Sequence, residues 1–390
     1  MSFVITNARL LDPATNLDAK GSIKFNANQI AEISINDPSH DQYLLRNNAH
    51  VIDAKGLCLA PGLVDMRVQT RSNDVDSADR ELGAQAAFGG VTSIVFVPNH
   101  AVPLDNAPKI LNLTRNASHH LHAHYYCYGA LTQALKGQEM AEMGLMLEAG
   151  AVGFTDGVSA VSDAGLMYRI LRYSQNFNAL IIQHPEEPSL ANENHLNAGS
   201  FASMMGIAPA IKQSEVMMIE RDLRLVEATK ARYHAAHIST SESIEAIMKA
   251  KKQGYRVSCD TQPAYFTLND TLLDKYQSEA KFLPPLRTKH DQHAMLKIGL
   301  AQNIIDAVGS DHIGCNQDEK RLPFMLAKSG ASGLISILPL MLKNYHDGHM
   351  TLLEALSFIT YKPAKLLGIQ SGQLKAGLQG DVILFDLDEK

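Results

Sequence analysis

From Gly62 onward the chain alternates short apolar runs with helix-length amphipathic segments, and that alternation leaves few folds open to it. Eight runs can be counted: Leu63 to Val68, Val91 to Val97, His122 to Tyr128, Ala151 to Phe154, Ala179 to Gln183, Arg232 to His237, Tyr255 to Asp260 and Ile305 to Gly309. Between them, Asp79 to Phe88, Glu215 to Lys230, Glu242 to Lys252 and Leu352 to Leu367 carry apolar residues at helical spacing with charges opposite. Strands separated by helices pair in parallel, and eight such units over about 300 residues predict an α/β fold, a (β/α)8 TIM barrel.

Ahead of this pattern the chain reads differently. Phe3 and Ile5, Ile23 and Phe25, and Ile30, Ile33 and Ile35 alternate with polar positions between turn residues, which predicts a small antiparallel sheet. Near the other terminus Gly380-Asp-Val-Ile-Leu-Phe-Asp is again strand-like. The expected division is a composite β domain from residues 1–60 and 368–390 beside a barrel over 61–367.

Composition narrows the partners. At 390 residues and 45% hydrophobic content the chain can bury a large core, and its net charge of -6 is spread without a polybasic run. That excludes a nucleic-acid or membrane-surface role and favours a small-molecule or protein partner. Cys58, Cys127, Cys259 and Cys315 stand far apart with no Cys-x-x-Cys pair, so neither a disulfide scaffold nor a zinc ribbon is indicated. Met1-Ser-Phe-Val-Ile-Thr-Asn lacks the features of a signal peptide, and no apolar run is long enough for a bilayer, so a cytoplasmic location is expected.

In such a barrel the chemistry sits at the C-terminal ends of the strands. The first strand supplies Arg67, Gln69 and Arg71, which share a face because residues two apart on a strand point the same way. The second ends in Pro98-Asn99, the fourth in Asp156, the fifth in His184, the sixth in His237 and the eighth in Asp311-His312. A single histidine is more often an ordinary hydrogen-bonded residue than a ligand. Polar ends in register on one mouth point instead to a shared site. His122-Ala-His124 lies at the start of its strand, away from that mouth, and reads as structural. His119-His120 reads as a solvated helix terminus, and Met204-Met205 and Met217-Met218 as core or loop packing.

Several motifs carry a resemblance. Pro61-Gly-Leu-Val-Asp-Met-Arg-Val-Gln-Thr-Arg71 resembles the Pro-Gly-x-x-Asp-x-His-x-His-x-Arg signature of the dihydroorotase branch of the amidohydrolase superfamily. Phe154-Thr-Asp156-Gly, Gln183-His184-Pro-Glu-Glu, His237-Ile-Ser-Thr and Ser310-Asp311-His312 are similar to further motifs of that branch. So are Pro98-Asn99, Met205-Gly-Ile-Ala-Pro through Glu215, and Pro284-Pro-Leu-Arg-Thr288, so the resemblance spans nearly the whole chain. It implies a barrel of the metal-dependent hydrolase type, with a β-sandwich-like satellite that the C-terminal strand rejoins. It also implies a two-metal centre for the reversible opening of a cyclic amide, built from the His-x-His, the strand-four carboxylate, the strand-five and strand-six histidines and the strand-eight Asp. By the same resemblance Asp311 stands at the proton shuttle, and Arg71 and Asn99 at the groups that hold the substrate carboxylate.

The departures are specific. Arg67 and Gln69 replace both histidines of the His-x-His, Gln262-Pro-Ala-Tyr265 replaces Thr-Pro-His-His, and Ile313-Gly-Cys315 replaces Ala-Pro-His. A guanidinium has no lone pair to give and stays charged, so Arg67 cannot be a ligand. It is expected to fill the emptied first metal position and pair with Asp311, leaving that residue a vestigial shuttle. Asp156, His184 and His237 remain as three ligands for a residual single zinc, and a site without any cofactor is the preferred expectation. Three functions stay open. The first is a non-catalytic dihydroorotase homologue acting in pyrimidine biosynthesis as a structural partner of aspartate transcarbamoylase, in a homo- or hetero-oligomer. The second is a one-metal amidohydrolase for a cyclic amide or ureide, and the third an active dihydroorotase with an unusual site.

Overall fold

The computed structural model describes residues 2–39, 50–70, 77, 79–116, 122–191, 196–275 and 277–389. Its first strands are β1 (Ser2–Asp12), β2 (Leu17–Asn26), β3 (Gln29–Ile35), β4 (His50–Asp53) and β5 (Cys58–Pro61). The apolar alternation places Ile5, Leu10, Ile23, Phe25, Ile30 and Leu59 in one buried cluster. β1 pairs antiparallel with β2, and β2 with β3, as the pattern predicts. The sheet is nevertheless mixed, because β4 and β5 both join β1 in parallel. The cause is a register shift between Ile5 and Ala8, where Asn7 adopts a φ of 55°. It divides β1, so that Phe3 to Thr6 take β4 and Arg9 and Leu10 take β5.

The next strands are β6 (Leu63–Gln69), β7 (Val91–Phe96), β8 (His124–Cys127), β9 (Leu180–Gln183), β10 (Arg232–Ala235), β11 (Val257–Thr261), β12 (Ala307–Val308) and β13 (His312–Ile313). They form two parallel four-stranded sheets, ordered β13-β6-β7-β8 and β12-β11-β10-β9. Continuous apolar runs such as Leu180-Ile-Ile are buried throughout, as expected of parallel strands covered on both faces. The fourth expected strand, Ala151 to Phe154, forms no ladder. Phe154 alone bridges Gly129 on one side and Ile181 of β9 on the other. Two residues on, the Asp156 carboxylate turns back to the backbone of Leu131 and Thr132, which ends the extended run.

Helices form over Asp79–Gly83 with Ala84–Phe88, Gln213–Thr229 and Ser241–Lys252, where the periodicity places them. The segment Leu352 to Leu367 differs. It is two helices, Leu352–Ser357 and Tyr361–Leu367, with the break at Phe358 to Thr360. Pro363 has no N–H with which to bond the carbonyl four residues back, and tolerates only the first turn of a helix. The Ile359 carbonyl so released accepts Val64 N of β6 at 2.8 Å, and the Phe358 carbonyl accepts Val308 N of β12 at 3.0 Å. The break therefore links β6 of one parallel sheet to β12 at the edge of the other. Met218 is core, whereas Met217 faces solvent, contrary to the packing role expected of both. No helix among the described residues is long and apolar enough to cross a membrane.

Near the C-terminus β14 (Val382–Phe385) pairs antiparallel with β5 and completes the mixed sheet, ordered β14-β5-β1-β2-β3. Just before it, Asp381 Oδ2 lies 3.0 Å from Nε2 of His124 at the start of β8. The second histidine of His122-Ala-His124 thus ties one of the parallel sheets to the mixed sheet. Its hydrogen bond to Asp381 raises the imidazole above the ordinary histidine range, against the opposing effect of burial. A histidine whose folded pKa exceeds its unfolded value contributes its full stabilisation below the unfolded value and loses it as pH rises through the folded one. His124→Ala is therefore expected to lower the melting temperature at about pH 5.5 and to leave it close to wild type at about pH 8.5. An equal deficit in thermal melts at both pH values would show that the pair adds no pH-dependent stability.

Candidate functional site

Alternation along β6 sends Asp65, Arg67 and Gln69 to one face. The Arg67 guanidinium donates from Nε to Asp311 Oδ1 at 2.8 Å, and the two side chains are only 4% and 5% exposed. The ion pair expected of these residues is present. A second guanidinium nitrogen donates to the Gly157 carbonyl at 3.3 Å. Gly157 adopts a φ of +72°, and a Cβ there would stand 3.1 Å from the Asn99 side chain, so the close approach favours glycine. Asp65 Oδ1 accepts the backbone N–H groups of Arg67 at 3.1 Å and Ser310 at 3.0 Å, which fixes the start of the strand-eight loop against β6. Burial pushes the Asp65 carboxyl up to about 6.

His184 and His237 also meet. Nδ1 of His184 is 2.7 Å from Nε2 of His237, with the rings stacked at 4.7 Å between centroids, and His184 Nε2 is 3.1 Å from Glu186 Oε2. Both histidines are buried, and His237 Nδ1 has no partner among the described residues. Burial first, then the charges of Arg67, His184 and His234, hold the His237 imidazole well below the ordinary range, so it is neutral at physiological pH. His237 at φ 36° and Asp311 at φ 46° sit in left-handed backbone that residues with side chains seldom adopt, the kind of strain that collects at functional sites.

Asp156 does not join them. One carboxylate oxygen accepts Leu131 N and Thr132 N, each at 2.9 Å, and the other accepts the Thr132 hydroxyl. The expected three-ligand set of Asp156, His184 and His237 is therefore not assembled. Among the described residues no three His, Cys, Asp or Glu side chains are grouped so as to hold a metal ion. The donor set does not fit a zinc ion: two nitrogens face each other, the carboxylate is engaged elsewhere, and the Arg67 charge adds repulsion.

Asn99 Nδ2 donates to Gln69 Oε1 at 2.9 Å, while Gln69 Nε2 is buried without a partner among the described residues. Both line a cavity of about 280 Å3 with Thr70, Glu81, Ile313 and Lys328. Arg71 lies outside the described residues, as do His119 and His120. Sequence reasoning gave no role to Asp65 or Glu186, although both sit inside the motifs already quoted. The segments ending in Glu215 and Thr288 acquire a reason for being where they are. Glu215 accepts Ser239 N at 2.9 Å and Thr240 N at 3.1 Å, and Arg287 Nε donates to the Ser239 hydroxyl at 2.9 Å. This buried network braces the loop that follows His237.

Residues 56–243 match the family model described as dihydro-orotase-like. The chain is 36% identical to the dihydroorotase of Syntrophotalea carbinolica over 100% of its own length and 90% of that protein. It is 34% identical to the dihydroorotase of Wolbachia sp. subsp. Drosophila simulans, over 99% and 86%. Among solved structures, the L-hydantoinase (dihydropyrimidinase) from Arthrobacter aurescens superposes with a TM-score of 0.83 at 25% identity, over 98% of this chain and 86% of that one. The dihydropyrimidinase from Brevibacillus agri, at 21% identity and a TM-score of 0.81 over 99% and 86%, shares the fold.

Removing one partner of a buried ion pair strands the other charge, which typically costs about 3 to 5 kcal/mol. Asp311→Asn is expected to lower the unfolding free energy by about 3 kcal/mol in urea titrations, and Arg67→Met combined with Asp311→Leu to recover most of it. A single variant as stable as wild type would mean that the pair is not buried as described.

Proposed function

The chain belongs to the dihydro-orotase-like family of the amidohydrolase superfamily, and we propose that it is a non-catalytic member retained as a structural partner of aspartate transcarbamoylase in pyrimidine biosynthesis. The observation behind this reading is the buried Arg67–Asp311 ion pair. By resemblance one residue stands at a metal-ligand position and the other at the proton shuttle, so a single contact removes both. Gln69, at the second lost ligand position, hydrogen-bonds Asn99, the amide that the resemblance assigns to the substrate carboxylate. Opening a cyclic amide calls for an activated hydroxide, polarisation of the carbonyl and a free proton shuttle. The residues at these positions supply none of the three.

The two parallel sheets are read here as halves of one (β/α)8 barrel over 61–367, with the mixed sheet as a β-sandwich-like satellite from 1–60 and 368–390. A rigid body of that size offers the broad surface that assembly with a second protein needs. A cytoplasmic setting beside the enzyme of the neighbouring biosynthetic step fits this role.

The test combines size-exclusion chromatography of the chain mixed with aspartate transcarbamoylase from the same organism, an assay of carbamoyl aspartate and dihydroorotate interconversion, and metal analysis. Co-elution at a defined ratio without turnover is the expected result. Turnover by the isolated chain at an ordinary enzymatic rate of about 10 per second would overturn the non-catalytic reading. Stoichiometric zinc with hydrolysis of a cyclic ureide would replace it with the one-metal amidohydrolase, and separate elution at micromolar concentrations would remove the partner.

A further inference from the structure

At the opposite end of the strands from Arg67 and His237 lies a second cavity, of about 700 Å3. Arg232 at the start of β10, Ile305 just before β12, and the helix Tyr361–Leu367 contribute to its walls. Three cations face it: Arg232, Lys362 and Lys365. The Arg232 guanidinium donates to the carbonyls of Asn178 and Leu366, both at 2.9 Å. Lys362 Nζ donates to Asn303 Oδ1 at 2.6 Å and stands 3.4 Å from the Phe358 ring centroid. Lys365 Nζ lies 5.6 Å from the Tyr361 ring centroid. Among the described residues none of the three has a carboxylate at ion-pair distance.

The two carboxylates of the cavity are already engaged. Asp306 pairs with Lys251 at 2.6 Å and accepts Cys259 N at 2.8 Å. Glu354 accepts both the N–H and the hydroxyl of Thr351 at 2.8 Å. With Lys251 beside Asp306, four cations stand against the two carboxylates Asp306 and Glu354, so in a chain of net charge -6 this wall carries an excess of positive charge. Burial pushes the Lys362 amine down to about 8, against the opposing pull of Asp306 and Glu354.

We propose that this cavity binds a phosphorylated small organic molecule of nucleotide size, with its phosphate groups held between Lys362 and Lys365. Ammonium groups one helical turn apart suit an anion with several charged oxygens better than a single carboxylate. Tyr361, Ile305, Leu353 and Leu366 give the organic portion an apolar wall. The volume lies within the about 300 to 1,000 Å3 of ordinary ligand sites.

ADP, adenosine and citrate serve as probes in calorimetric titrations and thermal melts of the full chain. ADP is expected to bind saturably at one site, to raise the melting temperature and to bind more weakly as salt is added. Lys365→Glu, at an exposed position, and Lys362→Gln are each expected to weaken ADP about tenfold or more, as loss of one charge-assisted contact does. The melting temperature of Lys365→Glu without ligand should match wild type, which separates lost binding from lost folding. No saturable ADP binding, unchanged affinity in both variants, or adenosine or citrate binding as tightly as ADP would each overturn the proposal.

Discussion

A guanidinium and a carboxylate withdrawn from water at the ends of β6 and β12 set the terms for everything around them. Each charge alone would be intolerable at that depth, and each makes the other tolerable. The Arg67 side chain reaches across the mouth to the Gly157 carbonyl and acts electrostatically on the His237 imidazole. Arg67 is thus a cation fixed in the protein, balanced by the aspartate beside it.

The neighbouring groups around that cation bond mostly to one another. His184 and His237 bond each other, Asp156 serves the loop of Leu131 and Thr132, and Asn99 serves Gln69. Meanwhile the supports behind the mouth persist, with Glu215, Ser239 and Arg287 still holding the loop after His237. The loop after His237 is thus braced from behind by groups that take no part in the contacts of Asp156, His184 and His237.

Much of this was legible in the chain. Seven of the eight strands fall where apolar runs place them, because buried parallel strands carry a continuous signal. The fourth shrank to Phe154, since its extension depends on where Asp156 finds hydrogen-bond donors, which no local pattern encodes. The helix over Leu352 to Leu367 divided at a signal that was present but outweighed, the lone Pro363 within strong helical periodicity. In the site, the Arg67–Asp311 pair could be anticipated because the first and eighth strands of the expected barrel adjoin and a guanidinium there calls for a carboxylate. It could not foresee that Asp156 would stand apart from two histidines on the adjoining strands, for a carboxylate takes whichever donors lie closest in space.

The buried pair also bears on how such a chain can change. Were Arg67 replaced by histidine through a single substitution, Asp311 would be left in the interior without its counter-charge, and among the described residues no metal-binding group of side chains is assembled to receive it. That change would therefore lower stability before any compensating substitution could act. The pair thus works as a ratchet on its two positions, since neither residue can change alone without stranding the other's charge.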